Sequence, residues 1–267
     1  MKKLLAIVLA LVFTFAFASC AKTETDDKTI VVGASPAPHA EILEVIKEDL
    51  KAKGYELVIK EFTDYVLPNE SLTAGELDAN YFQHQPYLDT YNSEKGTDIV
   101  SAGAIHYEPL GVYPGKSSDI NNVPDGAIIA VPNDGSNEAR ALYLLRDLGL
   151  IEVDNANGFN ITVKDITSNP KNITINEVEA AQLPSLLPDV DFAVINGNYA
   201  ISAGIDGTVL TTENKDSDAA QTYANIVAVN KGHEKDEKIV ALVDALRSET
   251  VRTFIEETYG IAVVPMF

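Results

Sequence analysis

The chain alternates between short apolar runs and segments whose apolar residues follow the spacing of a helix. Residues 29–33 form a β-branched run typical of a buried strand, and a loop is predicted at 34–38. Residues 55–62 alternate as a half-buried strand does. Between these strands a helix is predicted, which ends at Gly54. Its apolar face consists of Ile42, Leu43, Ile46 and Leu50.

A second copy of this layout follows later in the chain. Residues 127–131 predict a strand, 132–136 a loop and 137–148 a helix. Further short apolar strands are predicted at 192–195 and 226–229. Strands that alternate with helices indicate an α/β fold with a parallel or mixed sheet flanked by helices. Two such units predict two similar lobes, and a cleft between lobes is a common place for a small ligand.

The N-terminus has the pattern of an export signal. Lys2 and Lys3 precede an apolar run at 4–18, and small residues precede Cys20, the only cysteine. The run is shorter than the roughly 20 apolar residues that span a bilayer. We therefore predict a signal peptide at 1–19. The ending resembles a bacterial lipobox, in which the cysteine becomes the lipidated N-terminus, although Phe17 stands where leucine is usual; the alternative is an ordinary signal peptide with a chance cysteine.

The sequence that follows Cys20 predicts a membrane anchor and no membrane-spanning segment. Residues 21–28 contain no apolar residue larger than alanine, so 20–28 are predicted to be a lipidated cysteine with a flexible tether. No later stretch approaches 18 uninterrupted apolar residues, which predicts that no second segment enters the membrane. The protein is thus expected to be attached to a membrane without crossing it.

The charge of the chain excludes one class of partner. The net charge is −20, and removal of Lys2 and Lys3 with the signal peptide takes it to −22. Such an acidic surface keeps a protein soluble and repels nucleic acid and anionic lipid headgroups. Nucleic-acid binding is therefore not expected. With one cysteine, stability must come from burial of the core and not from disulfides.

The loop at 132–136 and the start of the next helix hold the first candidate for ligand chemistry. Open α/β sheets bind ligands at the carboxyl ends of strands. Asp134 or Ser136 can cap the helix, and Arg140 lies one turn inside it. A cation is poorly placed there for the helix dipole, so an anion should offset it, and arginine is suited to bidentate binding of a carboxylate. The alternative is a surface salt bridge to Glu138 or Asp134.

Other candidate residues carry weaker signals. His84 lies among aromatic residues just after a predicted strand at 78–82, where a packed, hydrogen-bonded histidine is more common than a ligand contact. His106 and Glu108 could form a metal pair with His84, but their spacing matches no zinc motif. No metal site or cofactor is predicted. Signatures of hydrolases, metalloproteases and phosphate-binding loops are absent from the sequence.

Three asparagines at predicted strand ends complete the polar candidates. Asn196, Asn198 and Asn225 each offer a carbonyl oxygen that can accept a hydrogen bond from an ammonium group. Asn196 or Asn198 can equally cap a following helix.

Several long segments together resemble the methionine-binding lipoproteins of the NlpA/MetQ family, over about residues 29–230. They are FTDYVLPNESLTAGELDANYFQHQPYLD, EPLGVY, VPNDGSNEARALYLL, NPKNITINEVEAAQLP and FAVINGNYA. The resemblance implies a two-lobed periplasmic-binding-protein fold, each lobe a mixed sheet flanked by helices. It implies lobe 1 at 29–111 plus 223–267 and lobe 2 at 112–222. It also implies a lipoprotein on the cell membrane, facing the periplasm or the exterior, that delivers free L-methionine to an ABC importer with a permease and an ATPase, and no catalysis.

The family's ligand contacts fall on matching positions of this sequence: Tyr65, Phe82, His84, Asn137, Arg140, Asn196 and Asn225. Asn198 is left out, because INGNYA departs here from the INTTYA of many members. The residue types suit a zwitterion with a thioether. Arg140 can bind the carboxylate, Asn196 and Asn225 the ammonium, and aromatic rings the sulfur. The alternatives are a methionine dipeptide, another amino acid, a metal-dependent hydrolase using His84, His106 and Glu108, or a surface scaffold.

Overall fold

The computed structural model of the protein describes residues 28–156, 158–214 and 221–267. The predicted signal peptide, Cys20 and nearly all of the predicted tether lie outside these ranges. Within them, no helix has both the length and the apolar character that crossing a bilayer requires.

The described residues form two large mixed sheets with helices packed on them. The strands are β1 (Thr29–Ala34), β2 (Glu56–Glu61), β3 (Ala79–His84), β4 (Ile99–Tyr107), β5 (Gly111–Pro114), β6 (Ile128–Pro132), β7 (Glu152–Val153), β8 (Ile166–Ser168), β9 (Thr174–Val178), β10 (Phe192–Ile195), β11 (Thr211–Thr212), β12 (Asn225–Asn230) and β13 (Val264–Pro265). The α-helices are α1 (Glu41–Val45), α2 (Lys47–Ala52), α3 (Leu67–Thr73), α4 (Gln85–Lys95), α5 (Gly135–Asp147), α6 (Leu183–Leu186), α7 (Gly197–Ser202), α8 (Glu237–Leu246) and α9 (Glu249–Tyr259).

The first sheet has the strand order β13–β4–β12–β3–β1–β2. Strand β1 pairs in parallel with β2 and β3, whereas β12 is antiparallel to β3 and β4. Strand β3 is buried along all six residues, as a strand covered on both faces must be. The four apolar residues predicted to face the core from the first helix are fully buried. That helix is divided into α1 and α2, because Ile46 between them leaves helical geometry (ψ 0°).

The second sheet has the order β11–β5–β10–β6–β9. Strand β6 is parallel to β9 and β10, and β5 is antiparallel to β10. Helix α5 covers this sheet and begins at Gly135, two residues before the predicted start. Asp134 is its cap, since Asp134 Oδ1 accepts a hydrogen bond from the Asn137 N–H at 3.1 Å. Ser136, the other predicted cap, only donates to Asp134 at 3.4 Å.

The chain passes between the sheets at the short connection from β4 to β5 and returns to the first sheet with β12. The first sheet therefore takes strands from 29–107 and 225–265, and the second from 111–212. Two mixed sheets, each with its own helices, agree with the predicted α/β, two-lobed architecture. The lobe boundaries at 111/112 and 222/223 stay a prediction; Gly111, placed in lobe 1, is the first residue of β5. Below, lobe 1 and lobe 2 denote the parts built on the first and the second sheet.

Candidate functional site

A pocket lies between the two lobes. The structure brings all seven predicted ligand contacts to its wall: Tyr65, Phe82, His84, Asn137, Arg140, Asn196 and Asn225. The remaining lining residues are Gln83, Tyr87, Glu108, Gly197 and Asn198. The scattered motifs of the sequence therefore meet at one place.

Arg140 is buried, with 3% of its surface exposed, and it is held by a carboxylate that the sequence analysis did not consider. Its Nε lies 2.8 Å from Glu213 Oε1 and its Nη2 lies 2.6 Å from Glu213 Oε2. Its predicted alternative, a surface pair with Glu138 or Asp134, was wrong: Glu138 instead accepts from the Val163 N–H at 3.0 Å. Arg140 is buried and also donates to the Glu108 carbonyl at 2.8 Å, so its guanidinium is not at the surface.

Glu213 holds the guanidinium in a fixed position. Glu213 Oε2 also accepts from the Tyr107 hydroxyl at 2.7 Å and from the Leu110 N–H at 3.0 Å. The guanidinium carbon of Arg140 lies 4.4 Å from the ring centre of Tyr223, in a cation–π contact. Burial alone would lower the pKa of Arg140, but the adjacent Glu213 carboxylate raises it above the ordinary value. Arg140 is therefore a permanent, oriented cation.

A hydrogen-bond chain crosses the pocket from lobe 1 to lobe 2 through Asn137. Asn137 Oδ1 accepts from His84 Nε2 at 3.1 Å and from Asn196 Nδ2 at 2.9 Å. The opposite ring nitrogen of His84, Nδ1, accepts from the Tyr87 N–H at 3.2 Å. Burial, together with the nearby charge of Arg140, lowers the pKa of His84 to about 3. His84 is thus neutral at physiological pH, with the proton on Nε2.

The two asparagines predicted to bind an ammonium, Asn196 and Asn225, differ in whether their side-chain oxygen has a hydrogen-bond partner. Asn196 occupies the cap position of α7 but makes no side-chain cap bond, so the capping alternative is wrong. Its Oδ1 is buried and has no hydrogen-bond partner, which leaves a carbonyl acceptor open to a ligand. Asn225 Oδ1 instead lies 3.0 Å from His39 Nε2, so one of the two lone pairs of this oxygen is already used.

The opposite end of the pocket is aromatic. The Tyr65 ring centre lies 5.8 Å from that of Phe82, 5.7 Å from that of Tyr87 and 4.9 Å from that of Tyr199. The Tyr65 hydroxyl donates to Asn198 Oδ1 at 2.5 Å, and this bond joins the two lobes. Such a cluster of ring faces and edges is suited to a flexible apolar side chain or a thioether.

A second polar cluster lies behind the pocket wall. Glu108 Oε1 is 2.7 Å from His106 Nε2 and 3.5 Å from His39 Nε2, and Tyr81 contacts the other ring nitrogen of His106. Burial raises the pKa of Glu108, while His39, Arg140 and the N–H of Asn198 oppose that shift. Burial lowers the pKa of His39 to about 4 and of His106 to about 3.

This cluster corrects the metal alternative. Among the described residues, the side chains that come close enough to hold a metal ion are His39, His106 and Glu108, whose ligand atoms lie within 4.8 Å of one another. His84, proposed as the third ligand with His106 and Glu108, is not in this group. Both ring nitrogens of His106 are already engaged in hydrogen bonds, so a metal would have to replace one of them.

Sequence reasoning missed several residues of the site. Glu213 lies in a part of the chain without a recognisable motif, and Tyr223 belongs to the Y-x-N match that supplied Asn225 but was given no role; only the fold brings them to Arg140. Tyr199 belongs to the quoted segment FAVINGNYA but was given no role. His39 follows β1 at the carboxyl end of a parallel strand, and this position was the available signal for it.

Comparisons with known proteins agree on one family. A sequence model of the NlpA lipoprotein family matches residues 30–267. The membrane lipoprotein TpN32 of Treponema pallidum is 42% identical over 241 residues, which are 89% of this chain and 88% of that protein. The methionine-binding lipoprotein MetQ of Bacillus subtilis is 40% identical over 275 residues, which cover 100% of this chain and 99% of that protein.

Solved structures support the same relationship. A lipoprotein from Ruminococcus gnavus superposes with a TM-score of 0.88 at 52% identity, over 90% of this chain and 100% of that one. A nutrient-binding protein from Burkholderia cenocepacia, solved with methionine bound, superposes with a TM-score of 0.84 at 41% identity, over 89% of this chain and 100% of that one. The two-lobed fold predicted from the sequence is confirmed by these neighbours.

Proposed function

Because the chain belongs to the NlpA lipoprotein family, we propose that it binds free L-methionine between its lobes and delivers it to an ABC importer made of a permease and an ATPase. One observation carries the proposal. Seven side chains taken from separate motifs line one pocket, in a chain 41% identical to a protein solved with methionine bound.

The polar end of the pocket has the chemistry of an amino-acid head group. Arg140 uses Nε and Nη2 for Glu213 and for the Glu108 carbonyl, which leaves Nη1 to donate to a ligand carboxylate. The unpartnered Asn196 Oδ1 accepts from an ammonium. Asn137 holds both Asn196 and His84 in place and so acts through them.

The aromatic end receives the methionine side chain. Burial of an apolar side chain of this size contributes roughly 1.5–3 kcal/mol, and contacts between sulfur and aromatic rings add about 0.3–1.5 kcal/mol. Tyr65, Phe82 and Tyr87 form the wall that makes these contacts. Selectivity on this side thus depends more on shape than on sulfur.

Capture requires that the lobes move apart and close. The pocket residues Asn137, Arg140 and His84 are only 1%, 3% and 5% exposed, so a ligand cannot reach them while the lobes are in contact. The bonds from His84 to Asn137 and from Tyr65 to Asn198 join the lobes and hold the closed form. Docking to the permease opens the lobes and releases the ligand.

The protein acts without catalysis in this proposal. Among the described residues that line the pocket, none is a nucleophile next to a base, and the low pKa of His84, about 3, makes that ring a poor general base. A metal-dependent hydrolase is the alternative. Stoichiometric metal in protein purified without chelator, with loss of metal in His106→Ala, would favour it.

Cys20 carries the attachment to the membrane. Relatives are named as membrane lipoproteins, and the sequence before Cys20 has the signal and lipobox pattern. We expect the lipidated protein to face the periplasm or the exterior. Cys20→Ala should move it from the membrane fraction to the soluble fraction or stall its processing. Unchanged fractionation and unchanged mature mass would contradict the anchor.

The ligand is tested on protein that has been unfolded, stripped and refolded. Mass spectrometry of the small molecule released on unfolding should find methionine, and calorimetry of the refolded protein should show tight binding of L-methionine. Norleucine should bind no more than about tenfold worse, since it lacks only the sulfur contacts. Isoleucine and valine should fail, because their β-branch overlaps a slot for an unbranched chain.

Two outcomes would contradict the assignment. Isoleucine that binds as well as methionine would mean that the aromatic end does not select an unbranched side chain. Absence of both heat and a thermal shift with methionine would mean that the pocket serves another ligand. Tighter binding of Gly-Met than of methionine would identify a dipeptide as the ligand.

A further inference from the structure

Glu108 places a carboxylate in the pocket wall that none of the predicted ligand contacts accounts for. The residue is 5% exposed and lines the pocket beside Asn196 and Asn198. Arg140 donates to its backbone carbonyl at 2.8 Å, and the carboxylate itself contacts the two histidines. A buried acid in this position needs an explanation, because burial of an unpaired carboxylate is costly.

The immediate partners of this carboxylate carry no charge. His106 and His39, 2.7 and 3.5 Å from Oε1, are both buried, with pKa values lowered to about 3 and about 4. Arg140, the nearest cation, is already neutralised by the bidentate contact with Glu213. Burial raises the pKa of Glu108, with Arg140 and the N–H of Asn198 opposing the shift, so a cation from outside the protein that reaches this carboxylate favours its ionised form.

A second acceptor lies next to it. Gly197 lies against Glu108, since a β-carbon at Gly197 would come within 2.8 Å of Glu108 Oε2. The residue before Gly197 is Asn196, whose Oδ1 is buried without a partner. A carboxylate and an unused carbonyl oxygen at one edge of the pocket are suited to an ammonium group, which has three donors and no acceptor.

We propose that Glu108 is the counter-ion of the ligand's α-ammonium group, and that His106 orients its carboxylate. The head group then lies between Glu108 and Arg140. Its ammonium pairs with the Glu108 carboxylate, and its carboxylate pairs with the Arg140 guanidinium. A ligand whose α-nitrogen is acylated, as in a dipeptide ending in methionine, brings an uncharged amide to Glu108. The pocket therefore selects a free amino acid. This inference rests on the proposed function and names the residue that discriminates within it.

The test compares ligands that differ only at the α-nitrogen. L-Methionine, N-acetyl-L-methionine and 4-(methylsulfanyl)butanoate, which lacks the amino group, are titrated into stripped wild-type protein and into Glu108→Gln. Glu138→Gln is the matched control, because Glu138 is a buried glutamate on α5 that bonds to the Val163 N–H and does not line the pocket. Thermal unfolding of each variant shows that it is folded.

Wild-type protein should prefer L-methionine over both analogues by about 100-fold or more, as expected for loss of one partner of a buried charge pair. Glu108→Gln should lose at least about 100-fold in affinity for L-methionine and bind the butanoate as well as wild type does. His106→Ala should lower the ratio of the L-methionine affinity to the butanoate affinity by about tenfold. A residue with a merely structural role would weaken both ligands alike and leave this ratio unchanged. Glu138→Gln should keep the wild-type ratio.

Gly197→Ala tests the same geometry with Glu108 retained. The added methyl group must displace the glutamate side chain, so L-methionine should again lose more affinity than the butanoate. Equal losses for both ligands in Glu108→Gln and Gly197→Ala, or no loss in either, would overturn the ammonium site while leaving methionine binding intact. Wild-type protein that binds the butanoate as well as L-methionine would also overturn it. Wild-type protein that binds no L-methionine would overturn both proposals.

Discussion

Glu108 lines the polar end of the pocket and Glu213 lies against Arg140 outside that lining, and the two glutamates have different partners. Glu213 meets a permanent cation, since Arg140 contacts both of its oxygens at 2.6–3.0 Å, and it accepts from a hydroxyl and a backbone N–H as well. Glu108 meets two neutral histidines and the N–H of Asn198. One carboxylate is thus fully paired within the protein, and the other is hydrogen-bonded but not neutralised.

The difference shows how one site can hold a charged residue in place and still present charge to a ligand. The pair of Arg140 and Glu213 is a structural unit whose net charge is zero, and its guanidinium keeps one nitrogen for the ligand. The neighbours of Glu108 orient its carboxylate but carry no charge, so in the proposed site a ligand cation pairs with this carboxylate. A zwitterion adds no net charge to such a site.

The largest expected effect follows from breaking the fully paired glutamate. Glu213→Gln leaves the Arg140 charge buried without compensation, which typically costs about 3–5 kcal/mol. We expect the free energy of unfolding, measured by urea denaturation without ligand, to fall by that amount. Glu108→Gln, which removes no partner of a buried cation, should cost clearly less. Equal losses would show that the two glutamates have the same structural role.

A smaller effect is expected at Asn196, the acceptor beside Glu108. Asn196→Ala removes the unpartnered Oδ1 and the bond from Nδ2 to Asn137. A hydrogen bond to a charged group contributes about 1.5–3 kcal/mol, so L-methionine should bind roughly 10- to 150-fold more weakly by calorimetry. The butanoate analogue should lose less. If both ligands weakened equally, Asn196 would only support the Asn137 network.

The histidine beside Glu108 should make the protein sensitive to acid. The pKa of His106 is lowered to about 3 in the folded state, against about 6.5 in the unfolded chain. As the pH falls below 6.5, the unfolded chain binds a proton that the folded protein does not, so stability is lost. Between pH 6.5 and 5.5 this amounts to about 1 kcal/mol for one histidine.

The matched variant isolates this contribution. His106→Gln has no imidazole to protonate, so its free energy of unfolding should fall by about 1 kcal/mol less than that of wild type over the same pH step. Denaturation at the two pH values measures the difference. Identical pH dependence in both proteins would mean that the pKa of His106 is the same in the folded protein as in the unfolded chain.

The smallest effect is expected at Arg146, the arginine on α5 that faces away from the pocket. Arg146 lies over Tyr143 at 4.6 Å and pairs with Asp147 at 2.7 Å, and its side chain is 34% exposed. Arg146→Ala should change stability by less than about 1 kcal/mol, as exposed pairs do, and should leave methionine affinity unchanged. Loss of affinity as large as that of Arg140→Ala would mean that the two arginines act through helix α5 and not through the ligand.

Much of the fold followed from local pattern. The periodicity of apolar residues gave the strands at 29–33, 127–131 and 192–195 and the buried face of the first helix, because burial of one face is a local property of the sequence. The periodicity did not show that this helix breaks at Ile46, because the apolar spacing continues across the break. The seven ligand contacts predicted from the long motifs all line the pocket, whereas Gln83, Tyr87, Glu108, Gly197 and Asn198 line it without having been predicted as contacts.

What the sequence alone determined about this protein is the alternation of strands and helices, the acidic surface, the export signal before Cys20 and the residue types at the pocket. The tertiary structure alone decided which charges meet. Arg140 and Glu213 are 73 residues apart, and His39 lies 186 residues from Asn225, so no local pattern relates them. A hydrogen bond depends on position in space to within tenths of an ångström, and only the packing of the two lobes sets that position.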